Sequence, residues 1–206
     1  MKKLFFALSL ALCLPLIAQI KVLAISGSTR TDSYNTKLLH EAVAIGRQLG
    51  MSVAIADLKD YPMPFYNGDL EKSEGMPESA KQFRRLMIES DVILIACPEY
   101  NRSIPALLKN ALDWASRSED GKSSKEAFKE KYFALMSASP GKRGGAHGLV
   151  HLRDIIEDVR GEIIPLQVCI AEAHKAFDAN GKLTNKALRQ KLYEELEHCL
   201  LVANRN

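Results

Sequence analysis

Long blocks of one charge sign are missing from this 206-residue sequence, in which 28 Lys and Arg stand against 25 Asp and Glu for a formal charge of +3. Two of the cations, Lys2 and Lys3, sit at the extreme N-terminus, so the body of the chain is nearly neutral. A clustered basic face is how nucleic acid is usually bound, and none is expected here. Cysteine is scarce: the four residues Cys13, Cys97, Cys169 and Cys199 contain no C-x-x-C pair, which excludes a disulfide framework and a thiolate metal site. The five histidines form no H-E-x-x-H group, and no G-x-S-x-G elbow presents a serine nucleophile. Also absent are G-x-x-x-x-G-K-[ST] and, after the first strand, G-x-G-x-x-G, which argues against NTP hydrolysis and a Rossmann dinucleotide site.

The one long apolar run is too short to span a membrane comfortably. Residues 1–18 combine the Lys2–Lys3 start with an uncharged stretch, Leu4–Ala18. The segment reads as a secretory signal, with Ala18 a suitable small residue before a cut and Leu16 breaking the A-x-A pattern. The expectation is therefore an exported, periplasmic protein, the alternative being a cytoplasmic one with an apolar tail.

From Lys21 onward short apolar runs alternate with longer amphipathic stretches, the pattern of βαβ units and a parallel sheet. Strands are expected at 22–26, 53–57, 92–97, 132–138 and 162–166, the first three unbroken enough to be buried on both faces. Pro165 makes the fifth an edge candidate. Helix patterns fall at 34–49, 77–90, 103–117, 145–160 and 184–202, with Leu188, Leu192, Leu196 and Leu200 on one face of the last. One flavodoxin-like doubly wound domain over residues 20–204 is expected, a five-stranded parallel sheet of order 2-1-3-4-5 between two helix layers.

Three stretches carry chemistry. In AISGSTRTDSYNTKLL (24–39) a buried strand ends at a Gly turn and a helix begins. Free backbone N–H groups and the helix dipole there favour an anion. Ser28, Ser33 and Thr36 add hydroxyls, Asn35 an amide and Arg30 a charge, a cluster suited to one terminal phosphate; the plainer reading is caps and turns. In CPEYNRSIPALLKNALDW (97–114) Pro98 ends the third strand at its carboxyl end, where open α/β sheets bind ligands. Glu99, Tyr100, Asn101 and Arg102 offer backbone groups and flat surface to a planar heteroaromatic ring, with Ser103 as helix cap and Pro105 in the first turn. Trp114 follows the helical face of Leu107, Leu108 and Ala111, so it is expected in the core. The third stretch, SASPGKRGGAHG (137–148), carries four glycines at the same sheet end, which allows close backbone approach to a ligand.

Taken together, GSTRTDSYN, PEYNRSIPALLKNALDW and SASPGKRGG resemble the three loops of the NADPH-dependent FMN reductase family, in the same order and spacing. The resemblance spans about residues 20–200. It implies phosphate binding by Ser28, Arg30, Ser33 and Asn35, with Thr36 beside them, and ring binding by Pro98, Glu99, Tyr100 and Asn101. Ser139, Gly144 and Gly145 correspond to the third loop. It further implies FMN as cofactor, NADPH or NADH as co-substrate, and a small-molecule acceptor such as a quinone, free flavin, azo compound or chromate. Electrons pass by a ping-pong scheme in which the flavin does the chemistry and no side chain is a catalytic acid or base. A homodimer or homotetramer is implied as well. A flavodoxin-type electron carrier is the rival reading, but such carriers are usually strongly acidic, and Arg30 with the near-neutral charge favours a reductase.

Other polar clusters read blandly. Glu194, Glu195 and Glu197 with Lys191 look like a solvated helix face, and the histidines like surface or helix-face residues. Lys142 and Arg143 are weak evidence for contact with a nicotinamide cofactor's phosphate.

Overall fold

The computed structural model describes residues 19–205, so the signal-segment expectation for 1–18 lies outside the described residues. Four parallel strands form the body of the sheet: β1 (Lys21–Ser26), β2 (Ser52–Ala56), β3 (Val92–Ala96) and β4 (Tyr132–Ala138). Two short strands, β5 (Glu162–Ile163) and β6 (Val168–Ile170), both pair with β4, and the sheet order is β2-β1-β3-β4-β5. The expected 2-1-3-4-5 order is the one observed.

Burial along the strands corrects two expectations. The run at 53–57 is an edge strand whose Ile55 is 43% exposed, because only β1 covers its flank. The run at 132–138 is central, and every residue of β4 from Phe133 to Ala138 is buried. The fifth run is shorter than expected, and a sixth strand that was not expected follows it. Ile164 still donates its N–H to Phe133 C=O, but Pro165 has none to give, and pairing resumes only at Val168 opposite Met136.

The main helices are α1 (Tyr34–Gln48), α3 (Glu78–Ile88), α4 (Ala106–Ala115), α5 (Ala146–Asp158) and α7 (Lys186–Ala203), close to the expected segments. Two short ones, α2 (Gly68–Glu74) and α6 (Ala173–Ala176), lie in stretches where no helix was expected. On one sheet face Leu38, Leu39 and Ala42 of α1 meet Leu192 and Leu196 of α7. On the other, Phe83 and Met87 of α3, Leu108 and Leu112 of α4, and Leu149 and Leu152 of α5 form a second core.

This topology decides where a ligand can sit. The chain leaves β1 toward β2 on one side and returns to β3 on the other, so the loops after β1 and β3 diverge and leave a crevice at the strand carboxyl ends.

Candidate active site

A cavity of about 290 Å³ opens at that crevice, lined among others by Ser28, Arg30, Ser33, Pro98, Glu99 and Ser139, with Tyr34, Asn35, Tyr100, Ala138 and Pro140 completing the wall. All three stretches singled out in the sequence thus contribute to one cavity. A larger cleft of about 580 Å³, between Tyr66, Glu71, Arg117 and Gly121, contains no residue of the three loops. Its wall is an ion pair: Arg117 grips Glu71 through Nε and Nη2, and that contact holds the Glu71 carboxyl below its usual range.

The first loop is organised by hydroxyls. Ser33 is the N-cap of α1, its side chain accepting from Thr36 N–H at 3.4 Å. Ser28 Oγ accepts the Arg30 N–H at 3.3 Å. Thr36 is drawn away from the cavity, its hydroxyl pairing with Ser26 Oγ at 3.0 Å. The N–H groups of Tyr34 and Asn35, in the open first turn of α1, have no acceptor among the described residues, and the Arg30 guanidinium has no ion-pair partner there. Unclaimed amides at a helix N-terminus beside a free cation and a serine hydroxyl fit a terminal phosphate.

Asn35 does something its residue type did not announce. Its Nδ2 donates to Ala138 C=O at 2.9 Å while its Oδ1 accepts the Ala138 N–H at 2.9 Å. The side-chain amide is therefore fully engaged by backbone at the end of β4, and Asn35 joins the first loop to the third.

The second loop turns sharply. Tyr100 and Ser103 exchange backbone hydrogen bonds of 2.9 and 3.0 Å, and between them Asn101 (φ 51°) and Arg102 (φ 67°) are both left-handed. Two left-handed central residues make a type I′ turn, which costs a non-glycine residue strain. Asn101 and Arg102 stand at this turn and do not line the cavity. Ser103 is not the helix cap that was expected: α4 begins at Ala106 with Pro105 at the N-cap, because Ser103 is held in the turn and its hydroxyl meets His151 Nδ1 at 3.1 Å. Beneath the loop, burial first and the Glu99 charge second push the Cys97 thiol up to about 12, so it stays a neutral, unreactive core group.

The third loop depends on glycine. Gly145 is the N-cap of α5 at φ 89°, and a Cβ on Gly144 (φ 61°) would lie 2.8 Å from Ala171 N. Neither lines the cavity; Gly144 lets the loop press against the end of β6 and Ala171, and Gly145 lets it press against Ser137 of β4, while Ser139 N–H bonds Ile170 C=O and Ala173 N–H bonds Ser139 C=O. Tyr34 was missed by sequence reasoning although it stands between Ser33 and Asn35; it stacks on Phe177 at 6.2 Å.

A doubly wound parallel sheet with a phosphate-suited loop, a tight turn and a glycine-rich loop converging at its switch point defines a flavodoxin-like flavoprotein. The model of the NADPH-dependent FMN reductase family matches residues 20–175, and the chain belongs to that family. It is thus an FMN-dependent NAD(P)H oxidoreductase. An NAD(P)H-dependent FMN reductase of Pseudomonas aeruginosa is 39% identical over 86% of this chain and 92% of its own length. An NADPH:quinone oxidoreductase of Arabidopsis thaliana is 35% identical over 86% and 88%. Among solved structures, the flavoenzyme NAD(P)H:(acceptor) oxidoreductase of Paracoccus denitrificans superposes with a TM-score of 0.71 at 28% identity, covering 88% of this chain and 98% of that one.

These matches correct the expectation of export. Relatives that align over most of their own length draw on NAD(P)H, a reductant made and kept inside cells. The periplasmic reading of residues 1–18 is withdrawn.

Proposed function

We propose that this protein passes electrons from NAD(P)H to quinones and comparable small acceptors, with FMN seated in the three-loop cavity of a single domain over residues 20–204. The observation that carries the reading is the convergence of unclaimed donors, Tyr34 N–H, Asn35 N–H and Arg30, on one cavity at the switch point. FMN, when bound, supplies a two-electron relay between reductant and acceptor.

The chain's share is binding and orientation. Arg30, Ser28 and the first turn of α1 hold the phosphate, and Ser33 fixes the start of that helix. The segment Pro98–Tyr100 offers backbone groups to the polar edge of the ring, and Tyr100, 48% exposed, gives it a flat wall. Ser139 closes the cavity from the third loop. No acid or base is demanded of any side chain. We further propose a homodimer or homotetramer.

Acid release and chromatography of the bound flavin, followed by steady-state NADPH and NADH oxidation with and without a quinone, test the reading. FMN as the released flavin and quinone-dependent oxidation are expected. FAD as the main flavin would overturn the phosphate assignment, and no oxidation with any acceptor would overturn the activity.

A further inference from the structure

Among the described residues α3, α4, α5 and α6 have no cap from the side chain of their own N-cap residue, and α5 is the one whose first turn takes a side-chain acceptor from elsewhere in the chain. The N-cap of α5 is Gly145, which has no side chain to offer, and the first turn exposes amide donors and the positive end of the helix dipole. The missing group arrives from 49 residues earlier in the chain: Glu99 Oε2 accepts the Gly148 N–H at 3.1 Å. An ordinary N-cap sits immediately before its helix; this one crosses between two ligand loops.

Three further contacts seal the same junction. A Cβ on Gly148 would meet Glu99 Cβ at 3.3 Å, Ser103 C=O at 3.3 Å and Glu99 Cα at 3.4 Å, so the helix approaches the turn as closely as backbone allows. One turn further on, His151 Nδ1 meets Ser103 Oγ at 3.1 Å. The Cys97 N–H bonds Met136 C=O at 2.8 Å and continues the β3–β4 pairing into the base of both loops. The turn at Tyr100–Ser103 contains two strained left-handed residues, and strain persists only where surrounding contacts over-determine it. Glu99 is the charged member of that set.

We infer that Glu99 is a positioning residue: its carboxylate caps α5 across the gap between the second and third loops and so locks the ring turn against the glycine-rich loop. Glu99 itself lines the cavity, and through this cap it sets how the two loops that shape the flavin site stand to each other. The idea rests on the assignment of this cavity to FMN, whereas the cap is a contact between two residues of this chain and can be tested separately.

The test therefore has a flavin-free arm and a flavin arm. In the flavin-free protein, amide hydrogen exchange at Gly148 is followed in wild type, Glu99→Ala and Glu99→Gln. The glutamine carbonyl keeps an acceptor for the Gly148 N–H, whereas alanine keeps none. Exchange about tenfold or more faster in Glu99→Ala and near wild type in Glu99→Gln is expected. In the flavin arm, FMN dissociation constants should rise about tenfold in Glu99→Ala and stay within about threefold of wild type in Glu99→Gln. Unchanged Gly148 exchange in Glu99→Ala would overturn the cap. Glu99→Gln that protects Gly148 yet binds FMN as poorly as Glu99→Ala would overturn the positioning role and make the carboxylate a direct ligand. If wild type bound no flavin at all, the exchange arm would still decide the cap, and the cavity assignment alone would fall.

Discussion

At the scale of single residues, side chains of one type do different work according to what lies across from them. Arg30 faces the cavity with no ion-pair partner among the described residues, so its charge is available to a ligand. Arg30→Ala should weaken FMN binding by roughly 1.5–3 kcal/mol, the scale of a hydrogen bond to a charged group, with the fold retained. Flavin titration monitored by fluorescence measures it, and wild-type affinity would mean that Arg30 points elsewhere. Asn35 is the opposite case. Because its amide satisfies both the N–H and C=O of Ala138, Asn35→Ala should cost about 2–4 kcal/mol of stability by stranding two buried backbone groups. Urea denaturation of the flavin-free protein checks this, and a loss below about 0.5 kcal/mol would show that water replaces the amide. The sequence announced Arg30 and Asn35 as members of one loop. It did not distinguish them, because the partner that occupies Asn35 lies 103 residues away.

Elements were more legible than their neighbourhoods. Each helix and strand in the body of the sheet declared itself through periodicity, and Trp114 was placed in the core correctly: it is fully buried, with its indole N–H on Pro64 C=O at 2.8 Å. What failed was anything set by a neighbouring element. Strand burial at 53–57 and 132–138 depended on position in the sheet, and the start of α4 on a turn closed by hydrogen bonds.

The sharpest failure is α7, where Glu195 was expected in solvent with Glu194 and Glu197. It is fully buried, and neither carboxyl oxygen has a hydrogen-bond partner. Leu192, Leu196 and Cys199 surround its position on the inward face, since residues three and four apart share a side of a helix. Burial drives its pKa well above the ordinary 4.5, which favours the protonated form in the folded chain. The sign follows from linkage. Below pH 4.5 both folded and unfolded chains carry the proton, and the group costs least. As pH rises above that value the unfolded chain releases its proton while the folded chain keeps it, so stability falls by about 1.4 kcal/mol per unit until the folded pKa is reached. Glu195→Leu should therefore be more stable than wild type by on the order of 1–3 kcal/mol near neutrality, with the gap shrinking toward pH 4.5. Thermal melts across that range read it directly; a gap that does not change with pH would mean that the carboxyl titrates normally and is reached by water.

At the scale of the whole molecule, the proposed assembly has a physical counterpart on the surface. Scattered apolar residues on a surface mean little, but here several gather about the start of α4. Phe65 is 76% exposed and shares a shallow cavity of about 240 Å³ with Ala106, Lys109, Asn110 and Asp113. Leu107 and Tyr100, also exposed, belong to the same helix and to the turn that precedes it. Tyr66, next to Phe65, is by contrast packed edge-on against Trp114 at 5.0 Å and bonded through its N–H to Asn110 Oδ1. Phe65 is thus presented outward by a well-anchored backbone, which limits the entropy lost if a second copy covers it. Such an interface would lie beside the ring turn and would shield the flavin from water, which is the physical gain in assembling there. Light scattering of the flavin-loaded protein at micromolar concentration should give the mass of two or four chains. Leu107→Asp, which sets a charge on an exposed apolar position in the first turn of α4, should lower that mass while leaving the fold intact by circular dichroism. A wild-type protein that scatters as one chain with flavin bound would remove the homo-oligomer from the proposal, and an assembly indifferent to Leu107→Asp would place its interface on another face.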